Sequence, residues 1–279
     1  MKKELKRVMA VISVCMLGAV SSSFAAVSMG GDLDGGAAPE VKATTYTVGL
    51  GVALLPDYEG SEDYQGAPVP YFRAQLATGQ YLQLLGPTLT ANLLQGTTWQ
   101  AGPLVRYRAE RNDDVENNQV KWMKKVDAAI ELGGFVGFQQ NHWNAKFDIA
   151  QDVAGGHEGF VATLTGGYTF IRTQATMLGL NLSTTYASSQ YMDSYFSVSP
   201  IDSIRTGFSG QRLQVYNASA GIKDVAATLL GRYNFDRHWG LLWAVQFKEL
   251  VGGASGSPVV DHAGSPGQLT VGAVGTYTF

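Results

Sequence analysis

The sequence contains one cysteine and no apolar run long enough to cross a membrane as a helix. Cys15 is the single cysteine among 279 residues, and it lies within a segment that resembles a cleaved signal peptide. A chain processed after that segment has no thiol, which excludes disulfides, thiolate metal sites and cysteine nucleophiles. Beyond residue 25, no stretch approaches the ~18 consecutive apolar residues that a membrane helix needs. If the chain crosses a membrane, it must therefore do so with β-strands.

The first 25 residues predict export. Basic residues open the chain, and the apolar stretch from Val8 to Val20 that follows is too short to span a bilayer comfortably. Small residues at Ser23 and Ala25 favour cleavage after Ala25. We therefore expect a cleaved signal peptide over residues 1–25. Its basic residues are Lys2, Lys3, Lys6 and Arg7.

Charge and composition narrow the class further. The formal net charge is −3, and loss of residues 1–25 removes four basic residues and Glu4, which leaves about −6. An acidic protein is a poor candidate for nucleic-acid binding, so we predict no nucleic-acid partner. Glycine is abundant, with 34 residues. A mean hydropathy near zero, combined with strong alternation, suits a barrel whose polar lumen offsets its lipid-facing side.

Alternation of apolar and polar residues predicts long strands. Tyr46 to Leu54 alternates strictly, and Gln268 to Phe279 alternates up to the last residue. Many candidate strands approach the ~9–11 residues of a tilted transmembrane strand, whereas soluble sandwiches use about 5–6. A final strand that stops on an aromatic residue is typical of bacterial outer-membrane barrels. We interpret Tyr277 and Phe279 as a carboxyl-terminal assembly signal for the barrel-assembly machinery.

The predicted fold is an all-β, closed, antiparallel up-and-down transmembrane β-barrel over residues 45–279, preceded by a flexible periplasmic leader over 26–44. Twelve strands are expected, or ten if residues 80–96 contribute none. Short connections alternate with mostly longer ones, as periplasmic turns alternate with extracellular loops. Both termini are therefore expected in the periplasm of a Gram-negative bacterium, with outer-membrane lipids and lipopolysaccharide around the barrel.

A set of short motifs makes the chain similar to one family of barrels. The motifs are Pro56-Asp57-Tyr58-Glu59-Gly60-Ser61, Trp99-Gln100-Ala101-Gly102-Pro103, Arg106-Tyr107-Arg108, Gly221-Ile222-Lys223-Asp224-Val225 and Tyr277-Thr278-Phe279. As a set, they resemble the MipA/OmpV family of outer-membrane proteins, and the likeness runs from about Tyr46 to Phe279.

The resemblance implies a location and a fold, and it implies a role less directly, because barrels of one family can differ in their loops. The name-giving member binds the lytic transglycosylase MltA and a bifunctional penicillin-binding protein. The resemblance therefore implies that this chain is a non-enzymatic scaffold for enzymes that build and remodel peptidoglycan. Other members are described as porin-like or adhesive. A narrow porin-like channel for small solutes and an adhesin acting through the extracellular loops are therefore the alternatives.

The histidines do not predict catalysis. His142 and His238 fall in short turns, His157 in a glycine-rich turn and His262 in a loop, and we interpret all four as solvated or interfacial residues. Adjacent residues of a strand point to opposite faces, so neither His157 nor His262 is arranged for a relay with its neighbouring acid. We predict no catalytic residue, no cofactor and no metal site.

Two loop features predict surface contacts. Acids cluster in residues 57–63 and 110–116, and we interpret them as a solvated crown beside lipopolysaccharide, because their spacing does not match a calcium-binding loop. The long loop over residues 188–218 is rich in aromatics, which either form a contact surface or fold back to cap the lumen. The aromatics in this loop and just before it are Tyr186, Tyr191, Tyr195, Phe196 and Phe208.

Alternation also assigns the residues that face the lumen. Both signs of charge occur among them. They therefore either fill a narrow barrel with salt bridges or line a pore whose cations favour anions. The candidate lumen-lining residues are Arg106, Arg108, Glu131, Lys146, Asp148, Asp152, Arg232 and Lys248.

Overall fold

Alternating side chains close the chain into a barrel. The computed structural model describes residues 43–279, in which twelve strands form one antiparallel sheet whose first and last strands pair. The strands are β1 Thr45–Pro56, β2 Tyr64–Gln75, β3 Tyr81–Leu85, β4 Thr88–Asn92, β5 Trp99–Arg108, β6 Ala129–Gln140, β7 Trp143–Asp152, β8 Phe160–Arg172, β9 Thr176–Ala187, β10 Gly221–Asn234, β11 Trp239–Leu250 and β12 Gly267–Thr278. The expected twelve-stranded, up-and-down barrel is confirmed. The predicted signal peptide and residues 26–42 of the predicted leader lie outside the described residues.

The outer face of the barrel is apolar. Along β1, Leu50, Val52 and Leu54 are exposed, whereas Ala53 and Leu55 are buried. The same alternation recurs around the wall, so that large apolar side chains point outward. Water would penalise a continuous apolar surface of this kind, and lipid would not. The wall is therefore that of a transmembrane barrel. No helix within residues 43–279 is long and apolar enough to cross a membrane.

The two ends of the barrel differ in their connections. Both termini of the barrel lie at one end, here called the terminal end, where the connections span two to six residues. Apart from the two-residue turn between β3 and β4, the connections at the opposite end, here called the loop end, span seven to 33 residues. The terminal end is the one that the sequence predicts in the periplasm. The loop-end connections are residues 57–63, 109–128, 153–159, 188–220 and 251–266.

The stretch over residues 80–96 supplies two short strands, β3 and β4, joined by a turn at Gly86-Pro87. These two strands decide between the expected ten and twelve strands. Their hairpin pairs with β2 only as far as Leu85. Among the described residues, the 64–70 part of β2 therefore has no strand beside it on this side. We call the interval between β2 and β5, on the loop side of the hairpin, the seam.

Proline occupies the β2 edge of the seam. The Pro70 carbonyl accepts a hydrogen bond from Gly86 N at 2.9 Å, so the backbone of Pro70 points toward the seam. By the period of two, Pro68 points the same way. Proline has no N–H to leave unpaired, which suits an edge without a neighbouring strand.

The loop-end connections are partly helical. The 188–220 connection is not an irregular loop, because Ser188 and Ser199 cap two helices within it. Two shorter helices follow in the 251–266 connection. We call these four helices the cap. They are α1 Ser189–Phe196, α2 Pro200–Thr206, α3 Gly252–Ser255 and α4 Pro258–Asp261.

The cap covers the mouth of the lumen. Tyr191 and Phe196 of α1 are fully buried and pack in one cluster with Ala254 of α3 and Val260 of α4. Of the two expectations for the loop aromatics, these side chains follow the second and fold back over the lumen. Tyr186, which lies in β9, and Phe208 behave differently and remain exposed.

Aromatic side chains gather at the terminal end. Trp143 packs on Tyr168 with ring centroids 4.7 Å apart, and Trp239 packs on Tyr277 at 5.0 Å. Phe279 contacts Tyr277, also at 5.0 Å. Such rings anchor a barrel at the interface between membrane and water. Tyr277 and Phe279 thus belong to this girdle, while their role as an assembly signal stays a prediction.

Candidate functional site

The predicted lumen-lining residues lie on the inner face of the wall. Two of them, Lys146 and Arg232, are half-buried in the half of the lumen nearer the terminal end. The others are buried. Except for Asp152, the buried residues join one network with side chains from the loops. The buried residues are Arg106, Arg108, Glu131, Asp148, Asp152 and Lys248.

Glu131 lies at the centre of one group of ion pairs. Its Oε1 accepts a hydrogen bond from Arg108 Nε at 2.7 Å and lies 3.1 Å from His157 Nε2. Its Oε2 accepts from Arg106 Nη1 at 3.3 Å. Arg106 also donates to Asp148 Oδ2 through Nη2, at 3.1 Å. The Glu131 side chain has no exposed surface, so these partners alone offset the cost of burying its charge.

Lys223 lies at the centre of a second group. Its Nζ contacts Glu59 of the 57–63 connection and donates to Asp224 Oδ2 at 2.5 Å. Lys248 Nζ lies 3.8 Å from Glu59 Oε1 and 3.9 Å from Asp224 Oδ2. The pairing of β10 with β9 shifts register between Ile222 and Asp224. This bulge lets the consecutive residues Lys223 and Asp224 both face inward, and both are buried.

Tyr191 of α1 joins the two groups. Its hydroxyl donates to Glu59 Oε2 at 2.6 Å and accepts from Arg108 Nη1 at 2.9 Å. Burial raises the pKa of the Tyr191 phenol, so the hydroxyl keeps the proton that it donates. The Arg108 guanidinium also lies 4.9 Å from the centroid of the Tyr191 ring, a cation–π distance. One cap side chain is thus fixed to both the wall and the 57–63 loop.

We call these side chains the lumen ion cluster. Its four carboxylates are matched by four arginine and lysine cations, so the cluster carries no net charge when His157 is neutral. A balanced, hydrogen-bonded set has little surplus charge to offer a passing ion. The charge balance of the cluster is therefore better suited to closing the loop end than to selecting ions. The members are Glu59, Arg106, Arg108, Glu131, Asp148, His157, Tyr191, Lys223, Asp224 and Lys248.

Two sequence interpretations are wrong at this site. Glu59 is not part of a solvated crown, because Lys223 and Tyr191 hold it in the lumen. His157 is not a solvated turn residue, because it is buried between Glu131 and Tyr191. No local pattern marks Glu59 as a lumen residue, since Lys223 is 164 positions away in the chain.

The charge of Glu59 is stabilised by its neighbours. Burial alone would raise the pKa of this carboxyl group, but the positive charges of Lys223, Lys248 and Arg108 outweigh burial. Together they lower its pKa from 4.5 to about 2. Glu59 is therefore ionised at neutral pH, and its charge ties the 57–63 loop to the wall.

Gly60 places Glu59 in this position. Its φ is 99°, a left-handed conformation that favours glycine. Its N–H donates to Gln268 Oε1 at 3.0 Å, and its carbonyl accepts from Ser265 N at 2.8 Å. A Cβ at this position would lie 2.6 Å from Val260 Cγ2. Conformation and space both require glycine, which gives a physical reason for one of the family-like positions.

Asp152 holds the turn that carries His157. Its Oδ2 accepts hydrogen bonds from the backbone N–H groups of His157 and Glu158, each at 2.8 Å. Its Oδ1 accepts from Ala154 N at 2.9 Å. Asp152 therefore positions the imidazole without contacting it. Within residues 43–279, no group of three or more His, Cys, Asp or Glu side chains converges as a metal site requires.

The chain is similar to one protein family and has weaker likenesses to solved structures. A family model described as MltA-interacting protein MipA matches residues 48–279, and no curated protein matches the chain. Among solved structures, the NanC porin is 7% identical over 84% of this chain and 98% of its own, with a TM-score of 0.39. An anion-selective porin from Comamonas acidovorans is 11% identical over 85% and 99%, with a TM-score of 0.29. The outer membrane channel DcaP of Acinetobacter baumannii is 11% identical over 85% and 96%, with a TM-score of 0.30.

Proposed function

Because this chain belongs to the family of MltA-interacting protein MipA, we propose that it is a non-enzymatic docking protein of the outer membrane for a lytic transglycosylase. The observation that carries the proposal is the filled loop end, where the lumen ion cluster and the cap occupy the space that an open pore would need. A barrel with a filled lumen would act by binding partners on its exposed surfaces. A penicillin-binding protein is the second partner in this proposal, so that enzymes that cleave and build peptidoglycan would share one membrane anchor.

The four histidines support a role without catalysis. His142 and His238 stack on Tyr168 and Tyr277 in the girdle, with ring centroids 5.7 and 5.6 Å apart. His157 is engaged by Glu131 in the lumen ion cluster. His262 lies 3.2 Å from Asp261 in an exposed pair. Three of the four imidazoles therefore have a structural contact, and the fourth is solvated.

The terminal end offers a surface for the partner. The turns over residues 76–80 and 93–98 are joined there, because Gly96 N donates to the Thr78 carbonyl at 2.8 Å. A Cβ on Gly79 would lie 2.2 Å from the Gly96 carbonyl oxygen, so the two turns touch backbone to backbone. This pair of turns carries three exposed leucines, which we call the leucine patch: Leu76, Leu93 and Leu94.

A binding assay with a purified MltA-type lytic transglycosylase tests the proposal. We expect the barrel, reconstituted in nanodiscs, to capture the enzyme, and Leu93→Ser with Leu94→Ser to weaken capture at least tenfold. Burial of a leucine stabilises a contact by about 1.5–3 kcal/mol, and about 1.4 kcal/mol corresponds to a factor of ten in affinity. Ile201→Ser with Ile204→Ser, at the opposite end, is the matched control. Absence of capture by the wild-type barrel would refute the docking role.

A narrow anion channel is the second candidate, and the charge of the lumen favours it. Arg73, Lys146 and Arg232 lie on the inner face of strands in the half nearer the terminal end. The carboxylates of the lumen ion cluster lie toward the loop end or at mid-height, where cations pair with them. An anion entering from the terminal end would therefore meet positive charge first.

Planar-bilayer recordings separate the two candidates. We expect the wild-type protein to show no conductance steps, because the lumen ion cluster and the cap fill the loop end. Steps with anion preference that decrease in Lys146→Glu would favour the channel. Conductance steps in the wild type that are unchanged in Lys146→Glu would contradict both the filled loop end and this assignment of charge.

A further inference from the structure

Helix α2 exposes its apolar side and buries its polar side. Asp202, Ser203 and Thr206 are buried, whereas Ile201 is 62% exposed and Ile204 is 57% exposed. A surface helix normally has the opposite arrangement. The exposed isoleucines are three positions apart, so they lie on one face of the helix.

Hydrogen bonds fix this orientation. Asp202 Oδ1 accepts from Lys124 N at 2.8 Å, and Ser203 Oγ donates to the Leu213 carbonyl at 2.6 Å. Thr206 Oγ1 accepts from Leu213 N at 3.1 Å. Rotation of α2 to bury its isoleucines would break all three bonds and leave buried polar groups unpaired. The apolar face is therefore held outward.

Two aromatic rings extend the apolar face. Phe208 follows α2 and is 73% exposed, and Trp122, also exposed, comes from the short 3₁₀ turn Val120–Trp122 in the 109–128 connection. The two ring centroids are 5.8 Å apart. We call Trp122, Ile201, Ile204 and Phe208 the cap patch. It joins connections that leave the barrel from non-neighbouring strands, so it lies across the mouth of the lumen.

Four basic residues lie next to the cap patch. Lys124 and Arg205 are exposed beside it, and Lys121 is half-buried next to Trp122. Arg212 is also exposed, and its Nε donates to the Ser203 carbonyl at 3.0 Å. The acid within α2, Asp202, faces inward and accepts from Lys124 N. The outward surface of this region thus combines apolar side chains with adjacent positive charges.

We propose that the cap patch docks on the anionic lipid surface of a membrane that approaches the loop end. Aromatic and aliphatic side chains bordered by lysine and arginine are the composition that inserts into the interface of an anionic bilayer. Each basic residue near such a surface adds attraction, which salt weakens. The patch lies over the lumen mouth, away from the lipid-facing wall, so the surface it meets belongs to a separate bilayer.

Vesicle flotation tests this proposal with the intact protein. The barrel is reconstituted in nanodiscs of phosphatidylcholine and mixed with vesicles of phosphatidylcholine alone or with phosphatidylglycerol. We expect the nanodiscs to float with the anionic vesicles, several-fold above empty nanodiscs, and to stay behind with the neutral ones. Added salt should reduce flotation. The triple change Ile201→Ser, Ile204→Ser and Phe208→Ser should bring it to the level of empty nanodiscs.

The control variant is Leu93→Ser with Leu94→Ser, which removes exposed apolar side chains from the terminal end and should float like the wild type. Heat-modifiable gel mobility confirms that each barrel is folded. Wild-type flotation no greater than that of empty nanodiscs would overturn the proposal, as would a triple variant that floats undiminished. Association of the nanodiscs with one another in the absence of vesicles, lost in the triple variant, would assign the patch to a second copy of the chain instead.

Discussion

Replacement of Glu131 by alanine is expected to lower the free energy of unfolding by about 3–5 kcal/mol. The change leaves Arg106, Arg108 and His157 around a space where the carboxylate had been. Removal of one partner from a buried ion pair leaves an uncompensated charge in a medium of low dielectric constant, which is why the effect is large. Urea unfolding of the refolded barrel, followed by gel mobility and circular dichroism, measures it.

An exposed ion pair provides the matched control. Asp113 and Lys125 lie 2.5 Å apart in the 109–128 connection, but both side chains are mostly exposed. Water screens such a pair, so Asp113→Ala should leave the free energy of unfolding unchanged within error. Equal losses in Glu131→Ala and Asp113→Ala would show that the buried group does not have the role assigned to it.

Acid is expected to release the cap. The pKa of Glu59 is about 2 in the folded protein and 4.5 ordinarily, so the folded state binds the proton more weakly than the unfolded state. The stability that Glu59 contributes is therefore fully present above pH 4.5 and is lost as the pH falls toward 2. Pepsin, which is active in this range, should cleave the 188–220 connection faster as the pH decreases, with rates normalised to an unfolded substrate.

Glu59→Gln isolates this effect. The amide keeps the size of the side chain but has no carboxylate for Lys223 and Lys248. Cleavage of the variant should already be fast at pH 4.5, with a smaller further increase below it. Identical pH profiles for the variant and the wild type would mean that another group controls the cap.

The barrel could be predicted from the sequence because the information is local. In a strand, each residue faces lipid or lumen according to its position, so the alternation from Tyr46 to Leu54 is sufficient to identify β1. The same logic placed Arg106, Arg108 and Glu131 on one face. Alternation did not predict which of these residues pair, because the register between two strands depends on segments that are distant in sequence.

The cap could not be predicted in this way. Its main contacts join segments far apart in sequence, such as Tyr191 with Glu59 at a separation of 132 residues. Alternation also fails at a bulge. By alternation, one of the neighbours Lys223 and Asp224 would face inward and the other outward, but the bulge turns both inward. The helix caps at Ser188 and Ser199 are local signals, but serines are so frequent in this stretch that they do not stand out.

At the seam, closure of the barrel wall depends on contacts between the loop-end connections. A barrel ordinarily resists splitting because a backbone ladder runs unbroken around its circumference. Here β3 and β4 complete the ladder between β2 and β5 only in the half nearer the terminal end. On the loop side of this hairpin, Glu116 N donates across the seam to Asp57 Oδ2 at 3.0 Å. Release of the loops would therefore also open part of the wall, so the loops and this part of the wall would unfold as one cooperative unit.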